Sequence, residues 1–156
     1  MEQAPAYIRR LTPADIDLMQ AMLRMFGDAF GEVETYTARM PRGAYLDRLL
    51  GNGEFVALAA LERGEVIGGL IAYELVKFEQ ERSEFYLYDL AVRQESRRRG
   101  VATSLVEELG RIAAANRAET IFVQADRGDD AAIAFYSKLG RREDVLHFDI
   151  KVPKAG

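Results

Sequence analysis

The chain has 156 residues, 49% hydrophobic and 29% charged, which is the composition of an ordinary globular protein with enough length for one well-buried core. It has no cysteine, which excludes a disulfide framework and a thiol nucleophile, and its one histidine, His147, excludes a multi-histidine metal site. The net charge of −4 argues against nucleic acid as a partner and mildly for a cationic one. The first residues, Met-Glu-Gln-Ala-Pro, show no basic stretch followed by an apolar one, so no signal peptide is expected. Apolar runs such as Phe55–Leu61 are too short to span a bilayer. The expectation is a single cytoplasmic domain over 1–156, with no metal and no membrane partner.

In chain order, Tyr7–Leu11 reads as a short strand. Thr12-Pro13 then opens a helix, with Thr12 as N-cap and Pro13 at the first helical position. Ile16, Met19, Met22, Leu23 and Phe26 recur at helical spacing. Residues 27–43 read as an irregular loop, and Ala44–Leu50 as a short helix closed by Gly51-Asn52-Gly53. Phe55–Leu61 and Val66–Phe78 are predicted strands, joined through Glu62-Arg63-Gly64-Glu65 as a hairpin. Phe85–Val92 is the next strand and Val101–Asn116 a helix. Thr120–Ala125 is a strand, Asp129–Leu139 a helix closed by Gly140, and Val145–Ile150 a last strand. The order describes one mixed α/β domain.

The junction Arg97-Arg98-Arg99-Gly100-Val101-Ala102-Thr103 carries the sharpest chemistry. Arginines and a glycine sit where a strand gives way to a helix start, whose unpaired N–H groups and dipole favour an anion. A pyrophosphate is the natural ligand for such a turn. The alternative is a solvated basic run.

Asp89 stands out for a different reason. It is an acid inside an apolar and aromatic run, Phe85-Tyr86-Leu87-Tyr88-Asp89-Leu90-Ala91-Val92, where a carboxylate needs a partner or a task.

These residues form a wider pattern. Leu90-Ala91-Val92, four residues, then Arg97-x-x-Gly100-x-Ala102 resembles the acetyl-CoA signature of the GNAT acetyltransferases. Ala132-x-x-Phe135-Tyr136-x-Lys138-x-Gly140 resembles their second motif. Lys77–Gln80, Arg82–Glu84, Tyr88–Val92, Gln124–Asp126, Gly128–Asp130 and His147–Asp149, with Phe26-Gly27, Phe30-Gly31 and Thr35-Tyr36, look like the type I aminoglycoside 3-N-acetyltransferases within that superfamily.

The resemblance implies a GNAT fold: a mixed central sheet with splayed central strands, flanked by helices. It implies acetyl-CoA as co-substrate, the 3-amino group of a gentamicin-type drug as acceptor, and a homodimer. The pyrophosphate is expected on Arg97–Thr103 and the pantetheine arm alongside Leu90, Ala91 and Val92 as an added strand. An N–H from Leu90 or Ala91 is expected to polarise the thioester carbonyl. Asp89 is the candidate base, directly or through a water, with a purely structural carboxylate as the alternative. Tyr136 is the candidate general acid, with an ordinary core tyrosine as the alternative.

A polycationic acceptor needs acids, and the candidates are Glu79, Glu84, Asp126, Asp129 and Asp149, together with Tyr36 and Tyr88. Asp129 stands where many members of the superfamily have asparagine, which points it toward the acceptor or toward a helix cap. Rival readings are acetylation of another amine (a polyamine, another small molecule or a protein N-terminus) and a non-catalytic acyl-CoA sensor.

Overall fold

The computed structural model describes residues 6–156. Its elements are β1 (Tyr7–Arg10), a 3-10 turn (Pro13–Asp15), α1 (Ile16–Phe30), α2 (Val33–Thr37), α3 (Gly43–Gly51), β2 (Phe55–Glu62), β3 (Glu65–Val76), β4 (Ser83–Val92), a second 3-10 turn (Gln94–Ser96), α4 (Val101–Ala115), β5 (Ala118–Val123) and α5 (Asp130–Ser137). They fall into two compact units that divide between Gln124 and Ala125.

In the first unit five strands form one sheet in the order β1-β2-β3-β4-β5. The first four pair antiparallel, and β4 pairs β5 in parallel. The β2–β3 hairpin turns through Arg63 at φ 52° and Gly64 at φ 80°, the left-handed pair that a tight two-residue turn requires. Thr12 caps the first helical segment as expected: its hydroxyl accepts from Ala14 N–H, and its own N–H donates to Asp15 Oδ2 at 2.8 Å. Arg9 closes this corner with a 2.8 Å bond to the buried Asp15.

Two neighbouring glycines show how the sheet is covered. A Cβ on Gly69 would lie 2.3 Å from Met22 Sδ, and one on Gly68 would lie 3.1 Å from Val101 Cγ1. Adjacent strand residues point to opposite faces, so α1 packs on one face of the sheet and α4 on the other. The absence of side chains at these two positions lets both helices come close to β3. The α1-face core gathers Met22, Met25, Phe26, Leu46, Ala57 and Ile71. Leu105 and Leu109 of α4 are fully buried.

The 27–43 segment differs from its expectation as an irregular loop. α1 runs through Gly27 to Phe30, ends on Gly31 at φ 66°, and is followed by the five-residue helix α2. α2 is too short to show helical periodicity, and its packing against α1 is a tertiary effect that no local pattern reports.

In the second unit, α5 starts at the Asp129 cap, whose Oδ1 accepts from Ala132 N–H at 3.1 Å. The helix ends at Ser137, and Gly140 N–H bonds to the Tyr136 carbonyl. Residues 145–150, expected as a strand, form none here. A strand is defined by its ladder, and this alternating segment has no paired neighbour among the described residues.

Candidate active site

The site is organised by two irregularities of β4. The first is a bulge. Asp89 is opposite Ile71 and Leu87 is opposite Ala72, so Tyr88 is an extra residue with no partner on β3. In a regular strand Tyr88 and Asp89 would face opposite ways. The bulge turns both onto the α1 face, where they line the same small cavity.

The second irregularity is a parting of the parallel pair. β5 accompanies β4 only from Ser83 to Leu87, while β4 continues to Val92. Beyond Leu87 no strand among the described residues pairs with that edge of β4, so the main chain of Tyr88–Ala91 has no ladder partner there and could receive an extended ligand.

Asp89 is half-buried, and burial pushes its carboxyl above the usual aspartate range. The Tyr36 hydroxyl on α2 donates to Asp89 Oδ2 at 3.2 Å and pulls the other way, while the nearby Glu32 carboxylate adds to the upward push. Tyr36 is itself held well above the ordinary tyrosine value by burial and by Asp89, so it stays a neutral donor. Its ring packs against Phe26 at 6.1 Å and Phe30 at 5.7 Å between centroids. The cavity beside Asp89 is about 150 Å³ and is walled by Leu23, Phe26, Leu46, Phe55, Tyr73 and Tyr88 among others. From it an aromatic track crosses the sheet, Tyr73 to Tyr88 to Tyr86 to Phe122, with successive centroids 5.6, 5.5 and 4.7 Å apart. Tyr86 ends in a 2.8 Å bond from its hydroxyl to Gln124 Oε1.

A larger hollow of about 470 Å³ lies between α1 and the segment after β4, and Arg24, Arg93 and Arg97 line it with Asp28 and Glu95. Its guanidinium groups suit an anion, with the two carboxylates beside them.

The β4–α4 turn has the backbone form expected of an anion cradle. Arg98 at φ 62° and Gly100 at φ 76° are left-handed, and α4 begins on Gly100 with no side-chain cap over its first N–H groups. The structure separates the three arginines. Arg97 Nε donates to the Val92 carbonyl at 3.1 Å and ties the turn to the end of β4. Arg99 pairs with Glu62 of β2. Each of these two spends at least part of its guanidinium on the protein itself. Val101 is buried on β3, so its contribution to a ligand is through its main chain, as it is for Ala102 and Thr103.

The predicted acceptor acids are not equivalent. Glu79 and Glu84 both pair with Arg82, at 2.7 and 2.9 Å, and Lys77 stands within 4.0 Å of each. Much of that charge is matched within the β3–β4 hairpin. In the second unit, Asp129 caps α5, Asp149 Oδ1 lies 2.9 Å from His147 Nε2, and Asp126 precedes α5 with its carbonyl accepting from Asp129 N–H. Tyr136 lies on α5 with its ring edge-on to Phe135 at 5.2 Å. No cluster of metal-ligating side chains occurs among the described residues, and no helix among them is long and apolar enough to cross a membrane.

The bulge, and with it the shared face of Tyr88 and Asp89, escaped sequence reasoning. So did the Phe26–Phe30–Tyr36 packing that brings α2 to Asp89.

A mixed sheet whose parallel pair parts beside an uncapped helix start is the GNAT arrangement. The chain belongs to the acetyltransferase (GNAT) family, whose model matches residues 18–140; members of this family draw the acetyl group from acetyl-CoA. The chain is similar over 96% of its length to all of an aminoglycoside acetyltransferase, HMB0005, from an uncultured soil metagenomic sample, at 57% identity and a TM-score of 0.94. It is also similar to the aminoglycoside acetyltransferase meta-AAC0020, likewise from an uncultured soil metagenomic sample and solved in complex with sisomicin. That match has 29% identity and a TM-score of 0.87, over 95% of this chain and 97% of the other. An uncharacterized N-acetyltransferase of Bacillus subtilis, YhfO, is 30% identical over 112 residues, 70% of this chain and 75% of the relative.

Proposed function

We propose that this acetyltransferase uses acetyl-CoA to acetylate the 3-amino group of gentamicin- and sisomicin-type aminoglycosides, by direct transfer in a ternary complex, and so confers resistance. The reading is supported most by one observation: the β4 bulge sets the half-buried Asp89 at the edge of an aromatic cavity and in the stretch Tyr88–Ala91 that β5 leaves unpaired. The likeness to two aminoglycoside acetyltransferases supports the acceptor class. The resemblance to type I enzymes supports the 3-amino position, a homodimer and action in the cytoplasm.

The residues fit the co-substrate. The left-handed Arg98 and Gly100 and the uncapped α4 start suit a pyrophosphate, and the open edge of β4 suits an extended amide-bearing arm. Acetyl-CoA, when bound, supplies an acetyl group already activated as a thioester. Asp89 takes the proton that the acceptor ammonium must lose before its nitrogen can attack. Raised basicity suits it to that task better than an ordinary aspartate. A main-chain N–H of Leu90 or Ala91 donates to the carbonyl oxygen as charge builds there. Tyr136 gives the leaving sulfur its proton. With no cysteine in the chain, nothing suggests an acetylated thiol on the way.

Of the predicted acceptor groups, Tyr88 borders the Asp89 cavity directly, and Asp126 and Asp149 remain proposed contacts for further amines. The pairing of Glu79 and Glu84 with Lys77 and Arg82 favours a second reading, a smaller amine that needs only Asp89.

Mass and NMR analysis of the product from acetyl-CoA with gentamicin or sisomicin decides between them. The expected product carries one acetyl group on the 3-amino nitrogen. Acetyl at another nitrogen would overturn the regiochemistry. A polyamine or a peptide N-terminus preferred over both drugs, scored by thiol release, would overturn the acceptor.

A further inference from the structure

We infer that Tyr36 is a positioning residue that acts through Asp89, holding the carboxylate by its Oδ2 oxygen and leaving Oδ1 to meet the acceptor amine. This rests on the reading of Asp89 as the base.

The geometry is specific. The Tyr36 hydroxyl bonds to Asp89 Oδ2 at 3.2 Å across a sequence separation of 53 residues. The α1–α2 corner keeps that reach constant. α2 lies so close on α1 that a Cβ at Gly27 would come within 3.1 Å of Val33 Cα and 3.4 Å of Tyr36 Cβ. Glu32 N–H bonds to the Gly27 carbonyl at 2.8 Å, and the Phe26 and Phe30 rings flank the Tyr36 ring. A side chain fixed by its own backbone contact and by two rings loses little freedom when it makes its bond, so it fixes its partner well.

The consequence is electrical as well as steric. A phenol donating to a carboxylate favours the charged form. The groups that face Asp89 are Tyr36 from α2, Glu32 at the start of α2, Tyr73 from β3, and Tyr86 and Tyr88 from its own strand. The α1 residues packed here, Met19, Leu23 and Phe26, carry no charge. Tyr36 is therefore the group whose hydrogen bond offsets burial and Glu32. Without that bond Asp89 holds its proton to higher pH and is the active base over a narrower range. Tyr36 itself stays protonated throughout.

The test is the pH dependence of kcat/KM for the drug acceptor in the full chain. For Tyr36→Phe the acid limb should move up by about one pH unit. That means a roughly tenfold loss on the acid side that closes as pH rises past the shifted limb. With 3-fluorotyrosine at position 36, a stronger donor of nearly the same size, the limb should move down instead. It gives an opposite sign that loss of folding cannot mimic. A loss equal at every pH with an unmoved limb, or no change in either variant, overturns the inference. Asp89→Asn separates this from failure of the parent reading. If the limb survives in Asp89→Asn, Asp89 is not the base. If the limb belongs to Asp89 and ignores Tyr36, only the positioning role falls.

Discussion

Asp89→Asn should lower turnover by about 10²–10⁴-fold while acetyl-CoA binding stays near its original strength. Asparagine keeps the size of the side chain and an oxygen for the Tyr36 hydroxyl to bond, so the β4 bulge and the open main chain beyond it have no reason to move. What disappears is the negative charge and the basic lone pair. The predicted pattern is a collapse in kcat with intact co-substrate affinity, measured by steady-state kinetics and by calorimetric titration with acetyl-CoA. The acid limb of the rate profile should vanish with it.

Stability should move the other way. Asp89 has a folded-state pKa raised above its unfolded value, first by burial. For such an acid the folded state favours the protonated form, so stability is full below the unfolded pKa and falls as pH rises through the raised one. At pH 7 the charged Asp89 is thus a cost to the fold, and the neutral asparagine relieves it. Asp89→Asn should melt at the same temperature as the parent or higher at pH 7, and the difference should close at low pH. A carboxylate retained only to support neighbouring backbone would behave oppositely, with lost stability and retained turnover. Equal turnover in the variant would refute the assignment of the base.

The parts of this design that sequence exposes are those set by local chemistry. Thr12-Pro13, the Arg63-Gly64 turn and the α4 start at Gly100 each announce themselves within four or five residues, because capping and left-handed backbone have short-range requirements. Asp89 stood out because a carboxylate in an apolar strand is chemically anomalous. Its aim did not, because the bulge exists only in the register between β3 and β4.

Tyr36 stood out only by family likeness, since its helix is a single short turn stabilised by contact with α1. The acids at 79 and 84 show the limit from another side. Sequence reveals their charge, but their pairing with Lys77 and Arg82 depends on how the hairpin closes. Residues 145–150 alternate like a strand, yet alternation specifies a face and says nothing about whether a neighbouring strand is there to pair.

The largest effect on the fold itself should come from Phe26→Ala. Phe26 is 1% exposed, stacks on Phe30 with centroids 5.7 Å apart, tilts against Tyr36 and presses toward the bare backbone of Gly69. Removing the ring opens a cavity between α1 and the sheet that neither element can close, because Met22 beside it is already fully buried and Gly69 has no side chain to fill the space. Substitutions of this kind cost about 3–5 kcal/mol, a large share of the roughly 5–15 kcal/mol by which such a domain is stable. At about 2–4 °C per kcal/mol for a chain of this size, the melting midpoint should fall by roughly 6–20 °C. The urea midpoint should fall with an unchanged slope, since the surface exposed on unfolding is nearly the same.

Phe30→Ala is the internal comparison. That ring is 39% exposed, so its loss exposes less new apolar surface and leaves a smaller void, and the cost should be well below that of Phe26→Ala. If the two variants were equally destabilised, the α1 face would not rest on the sheet through Phe26. Unequal loss of stability, with a displaced acid limb in the Phe26 variant at temperatures where it remains folded, would tie the packing of α1 to the aim of Tyr36 and so to the protonation of Asp89.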